Sequence, residues 1–200
     1  MKQRVHKGLL FIPDISGFTE LVHSTDVLTG QQITYELLSA ILNENRLHLQ
    51  VSEVEGDAIL FYRFGPAPTL NFLLCQYEKM KMAFNNKVRE IENRLSRQLN
   101  LSLKVIAHYG EMTEFDIGGF KKLYGEVVIE AHRLLKNSIP GDTYLLVTDS
   151  LKGDAAGTNM TKMEEQGIQS TEICEVYDGL RLICFSYFDF SNISAIEQRA

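Results

Sequence analysis

The 200-residue sequence has no tryptophan, four prolines and three cysteines, and basic residues are outnumbered, with 20 Lys and Arg against 26 Asp and Glu. Each scarcity excludes something. The net charge of −6 argues against a nucleic-acid partner, because phosphate-backbone affinity rests on many Lys and Arg contacts. It does not exclude a nucleotide bound through metal, since the ion brings the positive charge. The cysteines, Cys75, Cys174 and Cys184, form no metal-type pair, and an odd count fits a reducing compartment. They read as buried free thiols, behaving as small apolar residues. Long apolar runs are also lacking. The opening MKQRVHKGLLFIPDI is basic, and its apolar run is broken at Pro13 and Asp14 after five residues, too short for a signal peptide or a membrane span. The expectation is a cytoplasmic protein with no membrane span.

What is present is ordinary for a globular chain: 44 % hydrophobic and 23 % charged residues, enough for one sizeable α/β domain over residues 1–200. Gly8–Ile15 is a short apolar run that reads as a buried central strand. From Thr19 to Leu47 apolar residues recur at helical spacing, with Gly30 splitting the stretch in two. His48–Glu55 and Ala58–Phe64 flank Gly56-Asp57 and read as a hairpin. Thr69 is placed to cap a long helix to about Arg97, whose stripe of Leu73, Tyr77, Met80 and Phe84 reads as core packing. Leu101–His108 is another strand, with Gly110 expected to turn the chain and Glu111–Ile117 to pair back. A helix is expected over 126–136, a strand at Tyr144–Thr148, a polar loop or broken helix over 152–168, and a closing hairpin around Asp178-Gly179. The order β-α-β-β-α-β with further elements predicts an α+β fold, a ferredoxin-like core with a C-terminal extension.

In such a sheet the first and third strands are neighbours. Asp14, ending the first strand, and Asp57, in the hairpin, can therefore meet at one end of the sheet. Paired carboxylates repel unless a cation lies between them, and Mg²⁺ takes one or two carboxylates together with phosphates. The amides of Gly17, Phe18 and Thr19, where a turn enters a helix, are placed to receive phosphate. On spacing alone the bland reading, aspartates as turn residues, stands beside this one.

The stretch Phe11-Ile12-Pro13-Asp14-Ile15-Ser16-Gly17-Phe18-Thr19 resembles the first metal motif of class III adenylyl and guanylyl cyclases. Glu53-Val54-Glu55-Gly56-Asp57-Ala58-Ile59 resembles their second. Ile106–Gly110 is similar to their I-H-x-G strand, Gly125–Leu134 to G-D-x-V-N-x-A-x-R-L, and Pro140-Gly141 to their P-G turn. The matches keep the family's order over roughly residues 8–150. The chain thus looks like a divergent, bacterial-type single-domain member of that superfamily. The resemblance implies a homodimer with interfacial sites. There Asp14, Asp57 and the Ile15 carbonyl hold two Mg²⁺ or Mn²⁺ ions, and a nucleoside triphosphate is converted to a 3′,5′-cyclic mononucleotide and pyrophosphate. Arg133 from the partner chain then stabilises charge on the α-phosphate; otherwise it pairs with Glu130 or Glu126 on its own helix.

Three departures from the family pattern matter. The transition-state Asn is Ile129, which cannot donate a hydrogen bond; losing one such donor costs roughly a hundred- to a thousand-fold in rate. The base-reading pair is Glu53 and Lys122, electrostatically suited to guanine and placing GTP ahead of ATP, unless the two simply pair with each other or face solvent. The late Lys that meets the terminal phosphates has no secure counterpart, Arg181 or Lys152 being the choices. His108 is expected to pack or bond within the sheet. Two functions follow from these residues: a nucleotidyl cyclase, or a catalytically degenerate homologue that binds a nucleotide or partner as a sensor or scaffold.

Overall fold

The computed structural model describes residues 4–154, 170–177 and 179–191. Eleven residues of β1 (His6–Ser16) run through its centre. They are followed by helices α1 (Phe18–Ser24) and α2 (Val27–Asn43), strands β2 (Gln50–Glu55) and β3 (Ala58–Phe64), and the long helix α3 (Leu70–Leu95). Then come β4 (Ser102–Ile117), β5 (Phe120–Tyr124), α4 (Glu126–Leu134), β6 (Tyr144–Thr148), α5 (Asp149–Asp154), β7 (Ser170–Val176) and β8 (Leu182–Asp189). The sheet order is β2-β3-β1-β4-β6-β8-β7, with β5 pairing only to β4. Its first four strands have the order and antiparallel pairing of a ferredoxin-like sheet, so the expected α+β core is observed. Among the described residues no helix is long and apolar enough to cross a membrane.

β1 is apolar without alternation because it is covered on both faces. Leu9, Phe11 and Ile15 pack with Ile33, Leu37, Tyr77 and Phe84 from α2 and α3. Leu10 and Ile12 pack with Val127, Ala131 and Leu134 from α4 on the opposite face. Since strand side chains alternate, Asp14 continues the Leu10 and Ile12 face, the side on which α4 lies. The Met and aromatic stripe of α3 is core, as its spacing predicts.

Several local expectations are corrected. Gly110 does not turn the chain but lies inside the single 16-residue strand β4. A Cβ there would come within 3.1 Å of Val127, so the glycine serves close approach of α4 to the sheet. The turn falls at Gly118-Gly119, both at positive φ, and it is β5 that pairs back, with Ile117 opposite Phe120. The helix after β1 breaks not at Gly30 but at Thr25-Asp26, where the Asp26 carboxylate accepts from the Leu28 and Thr29 amides as a cap. The cysteines are not three buried thiols. Cys75 is exposed, and Cys174 and Cys184, directly opposite each other on β7 and β8, form a disulfide. Ten residues apart in sequence, they gave no spacing signal that separates a cross-strand bond from two thiols. The expected loop over 152–168 begins inside α5, and its residues 155–168 lie outside the described residues, as does Asp178.

Candidate functional site

The register of the central strands brings the two aspartates together. Asp14 stands opposite Ala58, the residue after Asp57, and the Ile15 amide donates to the Asp57 carbonyl at 3.2 Å. Gly56, at φ 59°, makes the tight turn that puts Asp57 at the sheet's end. Both carboxylates open into a cleft of about 300 Å³, bounded by β1, β2, β3 and the C-terminal turn of α4. Burial, then the charge of Asp14, pushes the Asp57 carboxyl above its ordinary value.

Lys104 is the group that sequence reading missed. It stands opposite Asp14 in the β1–β4 register, and its Nζ lies 2.9 Å from Asp14 Oδ2. Burial works to lower its ammonium, but the hydrogen bond and charge of Asp14 prevail and hold it above the ordinary value. Only strand pairing reveals this residue, because 90 positions separate the partners in the chain. Glu55, His132 and Lys136 also line the cleft.

Gly17 precedes α1 at φ 86°. A Cβ there would sit 2.0 Å from the Asn100 carbonyl oxygen, so the position accepts only glycine. The amides of Phe18 and Thr19 fall in the first turn of α1, where the helix supplies no acceptor.

Glu53 on β2 lines the cleft and is paired with Lys122 of β5, Nζ to Oε2 2.5 Å. That hydrogen bond raises the Lys122 ammonium. The two residues proposed to read a base therefore touch each other within one chain. Arg133 is exposed on α4, one turn beyond Ile129, which is 56 % exposed. The pairing of Arg133 with Glu130 does not occur. Glu130 and His108 are each only 1 % exposed, and His108 Nε2 lies 2.7 Å from Glu130 Oε2. An ionised carboxylate only accepts, so Nε2 carries the proton. Arg181 closes the cluster at 2.6 and 3.1 Å. The His108 hydrogen bond and the Arg181 pair, outweighing burial, hold the Glu130 carboxyl down to about 2. His108 Nδ1 meets Thr148 Oγ1 at 2.8 Å, so His108 bonds within the sheet, as expected. Neither Arg181 nor Lys152 reaches the aspartate cleft: Lys152 is held by Asp149 and Glu172.

Among the described residues no group of three or more His, Cys, Asp or Glu is arranged to hold a metal alone. Two clustered carboxylates with a raised Asp57 nevertheless suit a hard cation that takes its remaining oxygens from phosphate and water. The donor chemistry fits that group.

The strand order and helix placement are those of the class III nucleotidyl cyclase catalytic fold. The fold is similar to that of the adenylyl cyclase CyaB from P. aeruginosa, with a TM-score of 0.73, 16 % identity, and 96 % of this chain and 98 % of that one covered. It is equally similar to the guanylyl cyclase Cya2, at TM-score 0.73 and 16 % identity over 94 % of each chain. The guanylate cyclase domain of RhGC from Catenaria anguillulae, solved in complex with GTP, matches at TM-score 0.61 and 15 % identity, over 93 % of this chain and 98 % of that one. Within this fold the chain belongs to the family described as "Protein of unknown function (DUF2652)", which its residues 34–144 match. A relative in Mycobacterium tuberculosis, "Uncharacterized protein Rv2561/Rv2562", is 30 % identical over 122 residues, 57 % of this chain. The chain matches little more than half (56 %) of that relative's length.

Proposed function

We propose that this protein is a divergent metal-dependent nucleotidyl cyclase that works as a homodimer and takes GTP ahead of ATP. The observation that carries the proposal is the convergence of Asp14 and Asp57 on one cleft, with the Asp57 carboxyl raised by burial and by its neighbour. In this reading the two aspartates and the Ile15 carbonyl hold Mg²⁺ or Mn²⁺. Bound divalent ions supply Lewis-acid stabilisation of phosphate charge and a more acidic ribose 3′-hydroxyl. The ribose 3′-hydroxyl would give up its proton to water, its oxygen would bond to the α-phosphorus, and the α–β phosphoanhydride bond would break to release pyrophosphate, giving the 3′,5′-cyclic mononucleotide. The Gly17, Phe18 and Thr19 amides receive phosphate oxygens. The Lys104 ammonium, paired with Asp14 behind the cleft, exchanges Asp14 for phosphate when the nucleotide enters. Glu53 accepts from guanine and Lys122 donates to it. Arg133 of the partner subunit stabilises charge on the α-phosphate. Exposed Ile117, Phe120, Tyr124 and Ile129 on the β4–β5 arm and α4 support burial of that surface against a second copy.

A second reading is favoured by two observations. Ile129 stands where the family has a hydrogen-bond donor, and Glu53 and Lys122 satisfy each other. These fit a degenerate homologue that binds nucleotide without turning it over. The test incubates purified protein with Mn²⁺ and each of the four common ribonucleoside triphosphates, with Asp57→Ala as control, and looks for cyclic product by mass spectrometry. Product that disappears in Asp57→Ala is expected. Tight Mn²⁺–nucleotide binding with no product from any of them leaves the sensor reading.

A further inference from the structure

His132 lies on α4 and lines the same cleft as Asp14 and Asp57, and nothing in the family pattern gives it a role. Its Nε2 is 4.0 Å from Glu53 Oε1, beyond hydrogen-bond reach. Glu53 is instead neutralised by Lys122 at 2.5 Å, so the imidazole is not consumed by that acid. The side chain is 37 % exposed, and among the described residues it makes no hydrogen bond within the protein. A donor with no internal partner, facing a cleft rich in carboxylates, is placed to meet an anion that those carboxylates bring in through a cation. Ile129, three residues earlier on the same helix, points an apolar side chain to solvent and offers no donor.

We propose that His132 is a substrate-contact residue that donates a hydrogen bond from Nε2 to the phosphate chain of the bound nucleotide. It supplies from the aspartate-bearing chain part of what Ile129 cannot supply. The inference rests on the nucleotide-cleft reading above, and its chemical class is a polyphosphate held through a divalent ion.

The experiment measures binding of Mn²⁺–GTP and of Mn²⁺–tripolyphosphate by calorimetry to the wild type, His132→Ala, His132→Gln and Asp57→Ala. The expected result is a roughly tenfold to hundredfold loss for His132→Ala, the range for a hydrogen bond to a charged group. The loss should be equal for both ligands, and His132→Gln, which keeps an N–H near the same place, should recover most of it. Melting temperatures of both His132 variants should match the wild type, because the side chain holds no internal bond. Wild-type affinity in His132→Ala, with binding lost in Asp57→Ala, overturns the role of His132 and leaves the cleft reading standing. A loss confined to Mn²⁺–GTP overturns the phosphate contact. Absence of binding by the wild type defeats the cleft reading and this inference with it.

Discussion

Replacing Glu130 by alanine removes the acceptor at the centre of the His108–Glu130–Arg181 cluster, and the structure fixes what that costs. The carboxyl is held from 4.5 down to about 2, which corresponds to about 3 kcal/mol of stability at neutral pH at 1.36 kcal/mol per unit. The mutational cost has two parts. His108 stays 1 % exposed, so its Nε2–H is left buried without an acceptor, at about 1–3 kcal/mol. Arg181 is 60 % exposed and turns to water, which keeps the loss at the lower end of the roughly 3–5 kcal/mol for breaking a buried pair. About 3–4 kcal/mol is therefore expected. That is roughly 6–16 °C in melting temperature at the ~2–4 °C per kcal/mol of a chain this size. Urea denaturation at pH 7, followed by circular dichroism, reads it directly. Glu130→Gln, which still accepts from His108, should lose less. The pH dependence has a defined sign. A carboxyl depressed in the folded state contributes fully above its unfolded value, near 4.5, and the contribution is lost as pH falls toward 2. The gap between wild type and Glu130→Ala should therefore narrow by roughly 2 kcal/mol between pH 7 and pH 3. A Glu130→Ala protein within 1 kcal/mol of wild type, or a gap unchanged at pH 3, refutes the reasoning.

Two other changes test the cleft and the turn beside it. Gly17→Ala places a Cβ 2.0 Å from the Asn100 carbonyl at φ 86°, where the left-handed conformation alone costs roughly 1–2 kcal/mol; a melting temperature at or above wild type contradicts the structure. In Asp57→Asn a carboxylate whose pKa is raised on folding is removed. Such a charge costs stability as pH rises through the folded value, so the variant should melt higher than wild type at pH 7 in EDTA. It should also lose the Mn²⁺-induced stabilisation, read as a rise in melting temperature, which for the wild type amounts to about 2.7 kcal/mol at a hundred times the dissociation constant. A lower melt in EDTA, or an undiminished response to Mn²⁺, counts against the cation site.

The central strand was legible because the eight-residue run Gly8–Ile15, followed by the Ser16-Gly17 turn, has few other meanings, and the Gly56-Asp57 hairpin because a glycine between two β-favouring runs marks a tight turn. Those local patterns, with the ordered motifs, carried the α+β fold and the meeting of Asp14 with Asp57. They did not reach Gly110, whose role as a close-approach point for Val127 mimics a turn signal in one dimension. They did not reach β5 either, a lysine-bearing strand without apolar alternation that exists because β4 extends far enough to pair with it. The cleft's working parts divide in the same way. Local pattern was enough to locate the segments that bear the carboxylates and the glycine turn, since those depend on neighbours a few residues away. Strand pairing and helix docking had to bring Lys104 to Asp14, Glu130 to His108 and Arg181 rather than to Arg133, and Cys174 to Cys184. Each of those pairs is set by strand register or helix docking between distant segments, and a contact that pairing geometry creates leaves no spacing for the sequence to show.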